Sequence, residues 1–411
     1  MPEGSVVLFE DEFVSDMYPI TLTRPAFAVT CGALNLYDVA RMVGERVGYV
    51  VRDYLADTTA CLYADERPAA GPTLMLNAAL APDARHVARL RALLAAGEPF
   101  LCTTGRRVAA ALVPAGVPLP DDLSPATAMP WLLERGLPLR EEEGLRTFDY
   151  PFHLIGVLEE LFPANLQARI AAGGLREVRP GVFVGTDVDL AETAVVRADK
   201  GPVVLDDGVQ VMEFAYLVGP LYVGPHSRII ERASVKESVS IGRLCKIGGE
   251  VEASVIESHT NKQHHGFLGH AYVGSWVNLG AGTSNSDLKN TYGTVRVEHQ
   301  GRKLDTGLQF LGCVIGDFSK SAINTSIFTG KIIGVSSMLY GFVGQNVPSF
   351  CNYARSFGQM TECTIDQAVT TQRRMFARRS IEQTVQDVAL LRAVHERTRS
   401  ERCWSTLPPV L

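Results

Sequence analysis

Aliphatic residues recur at every sixth position through the centre of the second half of the chain. Eight consecutive sixth positions, beginning at residue 205, all carry leucine, valine or isoleucine. A period of six is neither the 3.6 residues of an α-helix nor the two residues of a simple strand. The pattern therefore favours a fold that repeats every six residues. The eight residues are Leu205, Val211, Leu217, Val223, Ile229, Val235, Ile241 and Ile247.

The same phase returns further along the chain, and a glycine often follows the aliphatic residue. Hexapeptide repeats of this kind are typical of a parallel β-helix, in which three six-residue sides form one coil and the aliphatic side chains point inward. Successive coils are then about 4.8 Å apart. We predict a left-handed parallel β-helix of hexapeptide repeats; ordinary strands with accidental phasing are the alternative. The later positions are Phe267, Val273, Leu279, Ile315, Ile327, Ile333 and Leu339, with Ser321 interrupting the last series.

The hexad phase breaks twice, at 253–261 and at about 284–310. Long interruptions of a solenoid usually serve function or assembly. Both breaks flank or include a polar stretch at 261–290. We therefore expect the functional residues of this half to lie around that stretch.

The first half of the chain alternates strand-like and helix-like segments. Short runs rich in branched apolar residues lie at 5–9, 47–51, 73–77 and 99–103. Between them, 34–43 and 82–97 carry apolar residues at helical spacing, and Asp83 and Gly97 can cap the second helix. Alternation of this kind predicts an α/β domain with a mostly parallel sheet.

These patterns divide the chain into four parts. The C-terminal segment 365–401 is helical and rich in arginine, and we expect it to cap the open end of the coil or to pack on a neighbouring subunit. We interpret its arginines as a solvated charged face rather than an anion site. The parts are an α/β domain at 1–150, a helical linker at 151–178, a β-helix at 179–350 and a helical tail at 351–411.

Composition narrows the class of protein. The chain of 411 residues has 46% hydrophobic and 20% charged residues, as an ordinary globular protein does. A net charge of −6 gives no support to nucleic-acid binding. No apolar run is long enough for a transmembrane helix, and the N-terminus lacks the basic region of a signal peptide. Eight cysteines without a C-x-x-C pair indicate reduced thiols and a cytoplasmic location.

The first strand leads into EDEFVSDMYPITLTRP at 10–25, which contains no glycine-rich phosphate loop. All eight lysines lie at Lys200 or beyond, so the first domain has none. Arg24 is the clearest phosphate partner there. Asp11 and Asp16 could hold a metal ion or could simply be solvated.

The stretch 261–290 reads NKQHHGFLGHAYVGSWVNLGAGTSNSDLKN. With its motif VNLGAGT, it resembles the acetyltransferase domain of the bacterial bifunctional N-acetylglucosamine-1-phosphate uridylyltransferase/glucosamine-1-phosphate N-acetyltransferase family. The match is closest to a divergent sugar-nucleotidyltransferase branch of that family. Other motifs that carry the resemblance lie at 8–25, 306–312, 316–325 and 347–350.

The resemblance implies a set of site residues. His264 falls at the position of the family's catalytic histidine, and a histidine suits a base because its usual pKa is near neutrality. Alternatively, His264 is merely a polar residue of the coil, and Asn278 belongs to an asparagine ladder. The other implied roles are sugar binding by Glu250 and Asn278, a backbone contact of Ala281 to coenzyme A, a phosphate contact of Lys262, and closure over the sugar by a loop that carries Asp287 and Lys289.

Two departures from the family pattern concern the acceptor. The family's sugar-phosphate tyrosine is Phe267 in this chain, and its phosphate-binding lysine aligns with Glu252. The first change removes a hydroxyl and the second reverses a charge. A different amino sugar, or a nucleotide sugar, is therefore an open alternative to glucosamine 1-phosphate.

As a whole, the resemblance implies a homotrimeric transferase that uses acetyl-coenzyme A to N-acetylate an amino sugar phosphate or a nucleotide amino sugar. Coupled nucleotidyl transfer onto a sugar 1-phosphate with Mg²⁺ would give a product like UDP-N-acetylglucosamine. The alternative class is a non-catalytic trimeric scaffold with a degenerate sugar-nucleotide-binding domain.

Zinc chemistry is a further alternative, because four of the nine histidines lie within 259–270. Gamma-class carbonic anhydrases use a β-helix trimer whose zinc is bound by an H-x4-H pair and a third histidine across a subunit boundary. His226 is the upstream candidate here. It lies 33 residues before His259 and 39 before His265, the first members of the two such pairs, whereas two full coils would be 36 residues.

Overall fold

The computed structural model of the protein describes residues 4–66 and 71–402. An α/β domain forms first, with all five strands built from short apolar runs. All four predicted strands match within one residue, and the fifth strand was not anticipated. The strands are β1 (Ser5–Phe9), β2 (Arg46–Val50), β3 (Thr73–Asn77), β4 (Phe100–Thr104) and β5 (Arg107–Val113).

Capping residues fix two of the helix ends in this domain. Asn35 forms a capping box with Asp38 at the start of the first helix. Gly97 ends the third in the left-handed conformation, at φ 66°. The helices are α1 (Leu36–Val43), α2 (Ala56–Ala60), α3 (Val87–Ala96), α4 (Ala128–Glu134) and α5 (His153–Ala171), with 3-10 turns at Glu12–Met17, Ala26–Ala28, Asp53–Leu55 and Ala84–His86.

The sheet has the order β2-β1-β3-β5-β4. β1 pairs parallel with both β2 and β3, as the alternating pattern predicts. β4 and β5 form a hairpin that joins the sheet antiparallel to β3. The predicted parallel α/β arrangement is thus confirmed for its central strands, and the antiparallel hairpin follows from the unpredicted β5.

A three-sided column of short parallel strands makes up most of the second half. Each side is one strand per coil, and successive coils add strands in parallel. Face 1 contains β7 (Val182–Val184), β10 (Val203–Leu205), β13 (Leu221–Val223), β16 (Val239–Ile241), β19 (Val255–Ile256), β22 (Tyr272–Val273), β26 (Cys313–Ile315) and β29 (Lys331–Ile333), with β6 (Arg176–Arg179) antiparallel at its edge.

Face 2 follows face 1 in every coil. It contains β8 (Asp189–Leu190), β11 (Gln210–Val211), β14 (Arg228–Ile229), β17 (Lys246–Ile247), β20 (Asn261–Lys262), β27 (Lys320–Ser321), β30 (Met338–Leu339) and β32 (Cys351–Ala354), closed by β33 (Gln359–Glu362). Isolated bridges through Asn278 join β20 to β27.

Face 3 completes the coil. It contains β9 (Val195–Arg197), β12 (Tyr216–Val218), β15 (Ser234–Val235), β18 (Glu250–Glu252), β21 (Phe267–Gly269), β23 (Ser284–Asn285), β28 (Ser326–Ile327) and β31 (Phe342–Val343). The eight aliphatic residues of the repeat are all buried inside the column, so the hexad prediction is confirmed. Each contributes about 2 kcal/mol of hydrophobic stabilisation. The phase is wrong at Phe267, because Leu268 points inward in its place.

The two phase breaks have different structural causes. The first begins earlier than predicted, because the turn from Ile247 to Val251 is two residues shorter than the six-residue step of the preceding coils. The coil is shortened there and gains no loop. The second break is an insertion that contains the antiparallel hairpin β24 (Arg296–His299) and β25 (Arg302–Asp305).

Face 1 packs against the N-terminal domain. Its outward residues Val204 and Tyr222 pack with α5, and Val255, Tyr272 and Val314 join the main core of the N-terminal domain. Apolar residues of α5 also belong to that core, although the sequence indicated a helical linker there.

The C-terminal segment forms α6 (Ile365–Ala377) and α7 (Val385–Arg397), followed by a turn at Arg399–Arg402. Leu390 and Leu391 of α7 pack with Leu22 and Leu55 of the N-terminal domain and with Phe350 of the column. The two helices therefore pack within their own chain. No helix in the described part of the chain is long and apolar enough to cross a membrane.

Candidate active site

A cavity of about 950 Å³ lies between face 2 of the column and α6. Along each short strand one residue points inward and its neighbour outward, so the outward residues of successive coils lie in a row. This row is the floor of the cavity, and residues at the end of α6 form its wall. The floor is made of Gln210, Arg228, Lys246, Asn261, Asn278 and Lys320.

The helix α6 is held over the column by ring stacking and one polar contact. Trp276 stacks on His259 with centroids 4.2 Å apart, and Phe376 of α6 packs on Trp276 at 4.5 Å. Arg379 Nη2 donates a hydrogen bond to Asn261 Oδ1 (2.8 Å). A capping box between Thr364 and Gln367 fixes the start of the helix. The cavity wall is therefore an ordered part of the structure.

Positive charge dominates this cavity. Six lysine and arginine side chains line it, and no aspartate or glutamate does so among the described residues. Burial lowers the pKa of Lys246, and the charges of Arg379 and Arg228 lower it further. Like charges at this density favour binding of an anion with several charges. The six are Arg228, Lys246, Lys320, Arg374, Arg378 and Arg379.

Three residues predicted from the sequence line this one cavity: His264, Asn278 and Ala281. His264 is exposed and lies in the turn 263–266, at the edge where face 2 meets face 3. Ala281 lies in the next turn along the same edge, and its carbonyl oxygen accepts a hydrogen bond from the N–H of Asn324 (2.7 Å). The histidine and the backbone that the resemblance assigns to coenzyme A are thus neighbours in space.

Asn278 also belongs to a ladder. Asn261 Nδ2 donates to Asn278 Oδ1 (3.3 Å), and the two residues are paired across adjacent coils. The asparagine ladder that the sequence left open is therefore present, and the same row faces the cavity. The two interpretations of Asn278 do not exclude each other.

Lys262 is the clearest correction among the predicted binding residues. It is in register with Ile247 and points into the column, with 2% of its surface exposed. Its Nζ donates to the carbonyl oxygens of Gly248 (2.8 Å) and His264 (3.2 Å). The prediction of a phosphate contact is wrong, because the ammonium group is sealed inside the core.

Glu250 lies on the other side of the same edge, on face 3, with its side chain 42% exposed. Lys236 Nζ contacts both Glu250 and, at 3.4 Å, Glu252. The sequence analysis did not identify Lys236, although its place directly after the inward Val235 predicts that its side chain points outward. It provides an ammonium group where the alignment showed a reversed charge at Glu252.

Asp287 and Lys289 do not line the cavity. Asp287 Oδ2 pairs with His270 Nδ1 (2.8 Å), and Lys289 Nζ donates to the carbonyl oxygen of Thr294 (3.1 Å). The insertion that follows them extends to the N-terminal domain, where Gln300 Nε2 donates to the carbonyl oxygen of Ser15 (2.7 Å). Closure of this loop over the sugar stays a prediction.

Arg24 joins the two domains and does not face a phosphate site. It forms ion pairs with Glu257 (3.1 Å) and Asp317 (2.7 Å) of the column, and all three side chains are largely buried. Burial by itself lowers the pKa of Arg24, but the neighbouring carboxylates, chiefly Asp317, raise it well above its usual value. Its Nη1 and Nη2 atoms are committed to these partners, whereas Nε is buried without a hydrogen-bond partner.

The metal candidates are likewise paired. Asp11 forms a buried ion pair with Arg107 and accepts a hydrogen bond from Asn77 Nδ2 (2.8 Å). Asp16 pairs with Arg106 and, at 3.8 Å, with Arg302. These aspartates do not fit a magnesium site in this arrangement, because their charges are neutralised by arginine. Within residues 4–66 and 71–402 of the single chain, no group of three or more His, Cys, Asp or Glu could hold a metal.

The cations of the cavity were missed by the sequence analysis, although a signal for two of them exists. Arg228 and Lys246 each precede an inward isoleucine and are 18 residues apart, so the repeat itself places them in one row. Arg374, Arg378 and Arg379 were interpreted as a solvated face. Their place at the cavity depends on how α6 folds back, which the repeat does not encode.

Comparison with known proteins gives matches to both activities of one bifunctional family. Residues 6–168 match the model of the family described as "Sugar nucleotidyl transferase". A bifunctional sugar-1-phosphate nucleotidylyltransferase/acetyltransferase of Sulfurisphaera tokodaii is 29% identical over 153 residues, which cover 34% of this chain and 36% of that protein. The bifunctional protein GlmU of Azorhizobium caulinodans is 31% identical over 134 residues, covering 30% and 29%. These matches confirm the resemblance seen in the motifs.

The chain thus spans about a third of the length of the curated relatives it matches. Among solved structures, the acetyltransferase domain of PglB from Neisseria gonorrhoeae in complex with acetyl coenzyme A is 11% identical, with coverage of 50% and 79% and a TM-score of 0.17. PerB from Caulobacter crescentus, in complex with CoA and GDP-perosamine, is 10% identical, with coverage of 84% and 91% and a TM-score of 0.15. TM-scores this low support no conclusion about this chain.

Proposed function

We propose, from the sugar-nucleotidyltransferase family match of the N-terminal domain and the cavity on the column, that the protein is a transferase that N-acetylates an amino sugar. The donor is acetyl-coenzyme A, and the acceptor is an amino sugar phosphate or a nucleotide amino sugar. One observation carries the proposal. His264, Asn278 and Ala281, which the family resemblance singles out, line one cavity together with six cationic side chains.

The donor is proposed to lie along face 2. Coenzyme A carries three phosphate groups, and the cavity offers Arg228, Lys246 and Arg379 from its floor and its wall. Burial lowers the pKa values of Lys246 and Arg379, and neighbouring arginines lower them further; phosphates bound there would relieve that repulsion. The pantetheine arm would then run past Ala281 towards His264 at the edge of the column.

His264 is proposed as the base. The acceptor amine attacks the thioester carbonyl carbon, the C–N bond forms, and the C–S bond breaks to release the thiol of coenzyme A. The imidazole takes the proton that the amine loses and passes it to the departing thiolate, and a well-placed base contributes about 10²–10⁴-fold. Since His264 is exposed at the edge, the acceptor can reach it from face 3.

The acceptor is proposed to bind on face 3, beside Glu250. The carboxylate can accept hydrogen bonds from sugar hydroxyl groups, and Lys236 can pair with a phosphate as a point charge. Lys236 would thereby compensate for Glu252, which stands where the family has a lysine. The acceptor is proposed as a class only: an amino sugar phosphate or a nucleotide amino sugar.

Nucleotidyl transfer onto a sugar 1-phosphate by the N-terminal domain is the second part of the proposal, supported by the family match at 6–168. The product of both steps would resemble UDP-N-acetylglucosamine. Magnesium is not assigned to Asp11 or Asp16, whose arginine partners occupy them. Release of pyrophosphate from a nucleoside triphosphate and a sugar 1-phosphate tests this step, and its absence across several nucleotides and sugars would contradict it.

A homotrimer is proposed by analogy with the family, in which active sites lie between subunits. Large apolar side chains are exposed on face 3 and its edge with face 2, including Ile323 (68%), Phe342 (63%) and Phe214 (61%). Exposed apolar surface of this kind marks interaction sites. Sedimentation equilibrium should give three times the mass of the chain, and a monomer would contradict the assembly. The seven described cysteines are free, which agrees with a reducing cytoplasm as the proposed location.

The deciding experiment follows thiol release from acetyl-coenzyme A with a panel of amino sugar phosphates and nucleotide amino sugars. We expect turnover with at least one acceptor and a fall in kcat of about 100-fold or more in His264→Ala. His265→Ala is the matched control, because it changes the exposed neighbour in the same turn and should keep kcat within about threefold. Absence of thiol release with every acceptor would favour the non-catalytic scaffold.

A further inference from the structure

Lys262 occupies a position that the column otherwise fills with aliphatic residues. In face 2 it is in register with Ile247 of the preceding coil, and Ile247 with Ile229 before it. The next coil places Leu279, also buried, on the same stack. Burying a lysine between an isoleucine and a leucine costs free energy, because its charge is removed from water and has no carboxylate partner.

The ammonium group does have partners, and both are backbone carbonyl oxygens in turns between face 2 and face 3. Nζ donates to Gly248 at 2.8 Å and to His264 at 3.2 Å. Burial lowers the pKa of Lys262 to about 8, and only the charge of Glu250 opposes that shift. Lys262 thus ties two successive turns of one edge together from inside the column.

The geometry of the preceding turn makes this reach feasible. Between Ile247 and Val251 the turn consists of Gly248, Gly249 and one further residue, two fewer than in the coils before it. A Cβ at Gly248 would lie 2.1 Å from the carbonyl oxygen of Gln263, and Gly249 has φ +69°. Glycine is therefore required for the two turns to approach each other.

We propose that Lys262 is a positioning residue: from inside the column it holds the turn that carries His264 in the geometry needed for acyl transfer. This role rests on the proposed function of His264. It explains why a lysine occupies a buried position that an aliphatic residue would fill at a lower cost in free energy. The imidazole itself stays outside, and Lys262 touches no substrate.

The test compares Lys262→Met with Ile247→Met. Methionine has nearly the length of lysine and suits an apolar interior, so Lys262→Met should fold and keep or gain thermal stability. Ile247→Met alters the neighbouring inward position and leaves both carbonyl contacts intact. Hydrogen exchange of the segment 260–268 should become at least about tenfold faster in Lys262→Met and stay unchanged in Ile247→Met.

Turnover provides the second measurement. A base displaced by about 1 Å loses on the order of 100-fold in rate, so we expect kcat of Lys262→Met to fall at least about tenfold. The KM for acetyl-coenzyme A should stay within about threefold, because the cations of the cavity lie on strands and on α6. A purely structural lysine would change stability and leave kcat of the folded protein unaltered.

Unchanged exchange in the turn, or wild-type kcat in a folded Lys262→Met protein, would overturn the positioning role. Failure of the proposed function has a different signature, because the wild-type protein itself would then release no thiol. The exchange comparison would still decide, in that case, whether Lys262 anchors the turn.

Discussion

At the scale of single residues, the direction of a side chain decides what it can do. Lys262 and His264 are two positions apart and share one polar motif, yet one lies in the core and the other is exposed. Asn278 and Asn261 point outward in the row next to the inward stack. The residue types of the motif thus identify candidates, and the register of the coil assigns their roles.

The buried charge of Lys262 predicts a pH dependence of stability. Its pKa is about 8 in the folded protein and 10.5 in an unfolded chain, so between these values the unfolded state binds more protons. The free energy of unfolding of the wild type should therefore rise with pH across this window, by about 3 kcal/mol relative to Lys262→Met. Urea unfolding from pH 7.5 to 10.5 measures the difference.

Ile247→Met serves as the control and should keep the wild-type slope. Other groups that titrate in the window, such as Lys320 with a pKa lowered to about 8 by burial, contribute equally to all three proteins. If the free energies of unfolding of the wild type and Lys262→Met changed in parallel with pH, Lys262 would have the same pKa in the folded and the unfolded protein, and the prediction would be contradicted.

At the scale of elements, each face of the column has a distinct outward row and a distinct partner. The strands of face 1 are apolar on both sides, as in Val203–Leu205 and Cys313–Ile315, because the N-terminal domain covers them. Face 2 alternates an outward residue, polar in most coils, with an inward one that is aliphatic in most coils but not at Lys262 and Ser321, and its outward row forms the cavity floor. The outward row of a hexad repeat therefore indicates in advance which face is covered by protein.

The helix α6 and the two residues after it contribute charge to the cavity from only one side. Arg379, just beyond the end of α6, lines the cavity, whereas Arg373 of α6 is exposed and is not among the residues that line it. We expect Arg379→Ala to raise the KM for acetyl-coenzyme A about tenfold, because one charge-assisted hydrogen bond to phosphate contributes on the order of 1.5 kcal/mol. Steady-state kinetics at two salt concentrations measure it, and the wild-type advantage should shrink at high salt.

Arg373→Ala removes the same charge from the outer side of α6 and should leave the KM within about twofold. Equal effects of the two substitutions would mean that the arginines act only through the overall charge of the helix. The donor would then need a site other than this cavity.

At the scale of the whole molecule, the N-terminal domain and the column are joined by a buried polar cluster within an apolar contact. Arg24 pairs with Glu257 and Asp317, and Thr30 and Tyr272 donate hydrogen bonds to Glu257. The hairpin β24–β25 reaches the segment after β1, where His299 Nε2 is 2.7 Å from the carbonyl oxygen of Asp16. Ligands of open α/β sheets bind at the carboxyl ends of the strands, so this docking restricts the edge where a nucleotide would enter.

Removal of the Arg24 side chain should destabilise the protein strongly. Arg24→Met leaves two buried carboxylates without their cation, at an expected cost of about 3–5 kcal/mol in the free energy of unfolding. Arg41→Met is the control, since the Arg41–Glu66 pair is about 40% exposed on both sides and should contribute less than about 1 kcal/mol. Chemical denaturation of both variants measures the costs, and similar values would contradict a central role for the interdomain cluster.

The sequence by itself determined the column, most of its inward residues and the motif that contains the candidate base. A six-residue period can be read directly from the order of residues. Each aliphatic side chain must stack on the one a coil away, so the requirement recurs at a fixed spacing along the chain. The alternation of strand-like and helix-like segments, which is also a local pattern, determined the α/β character of the first domain. The edge carrying His264 and Ala281 also follows from their places in the repeat.

Only the tertiary structure decided which charges meet. The reversal of Lys262 followed from a one-residue shift of phase, with Leu268 inward in place of Phe267, since such a shift exchanges the inside and the outside of a strand. The pairing of Arg24 with Glu257 and Asp317, and the closure of the cavity by Arg379, join segments more than a hundred residues apart in the chain. Such contacts depend on how whole elements dock against each other, and no local spacing encodes that.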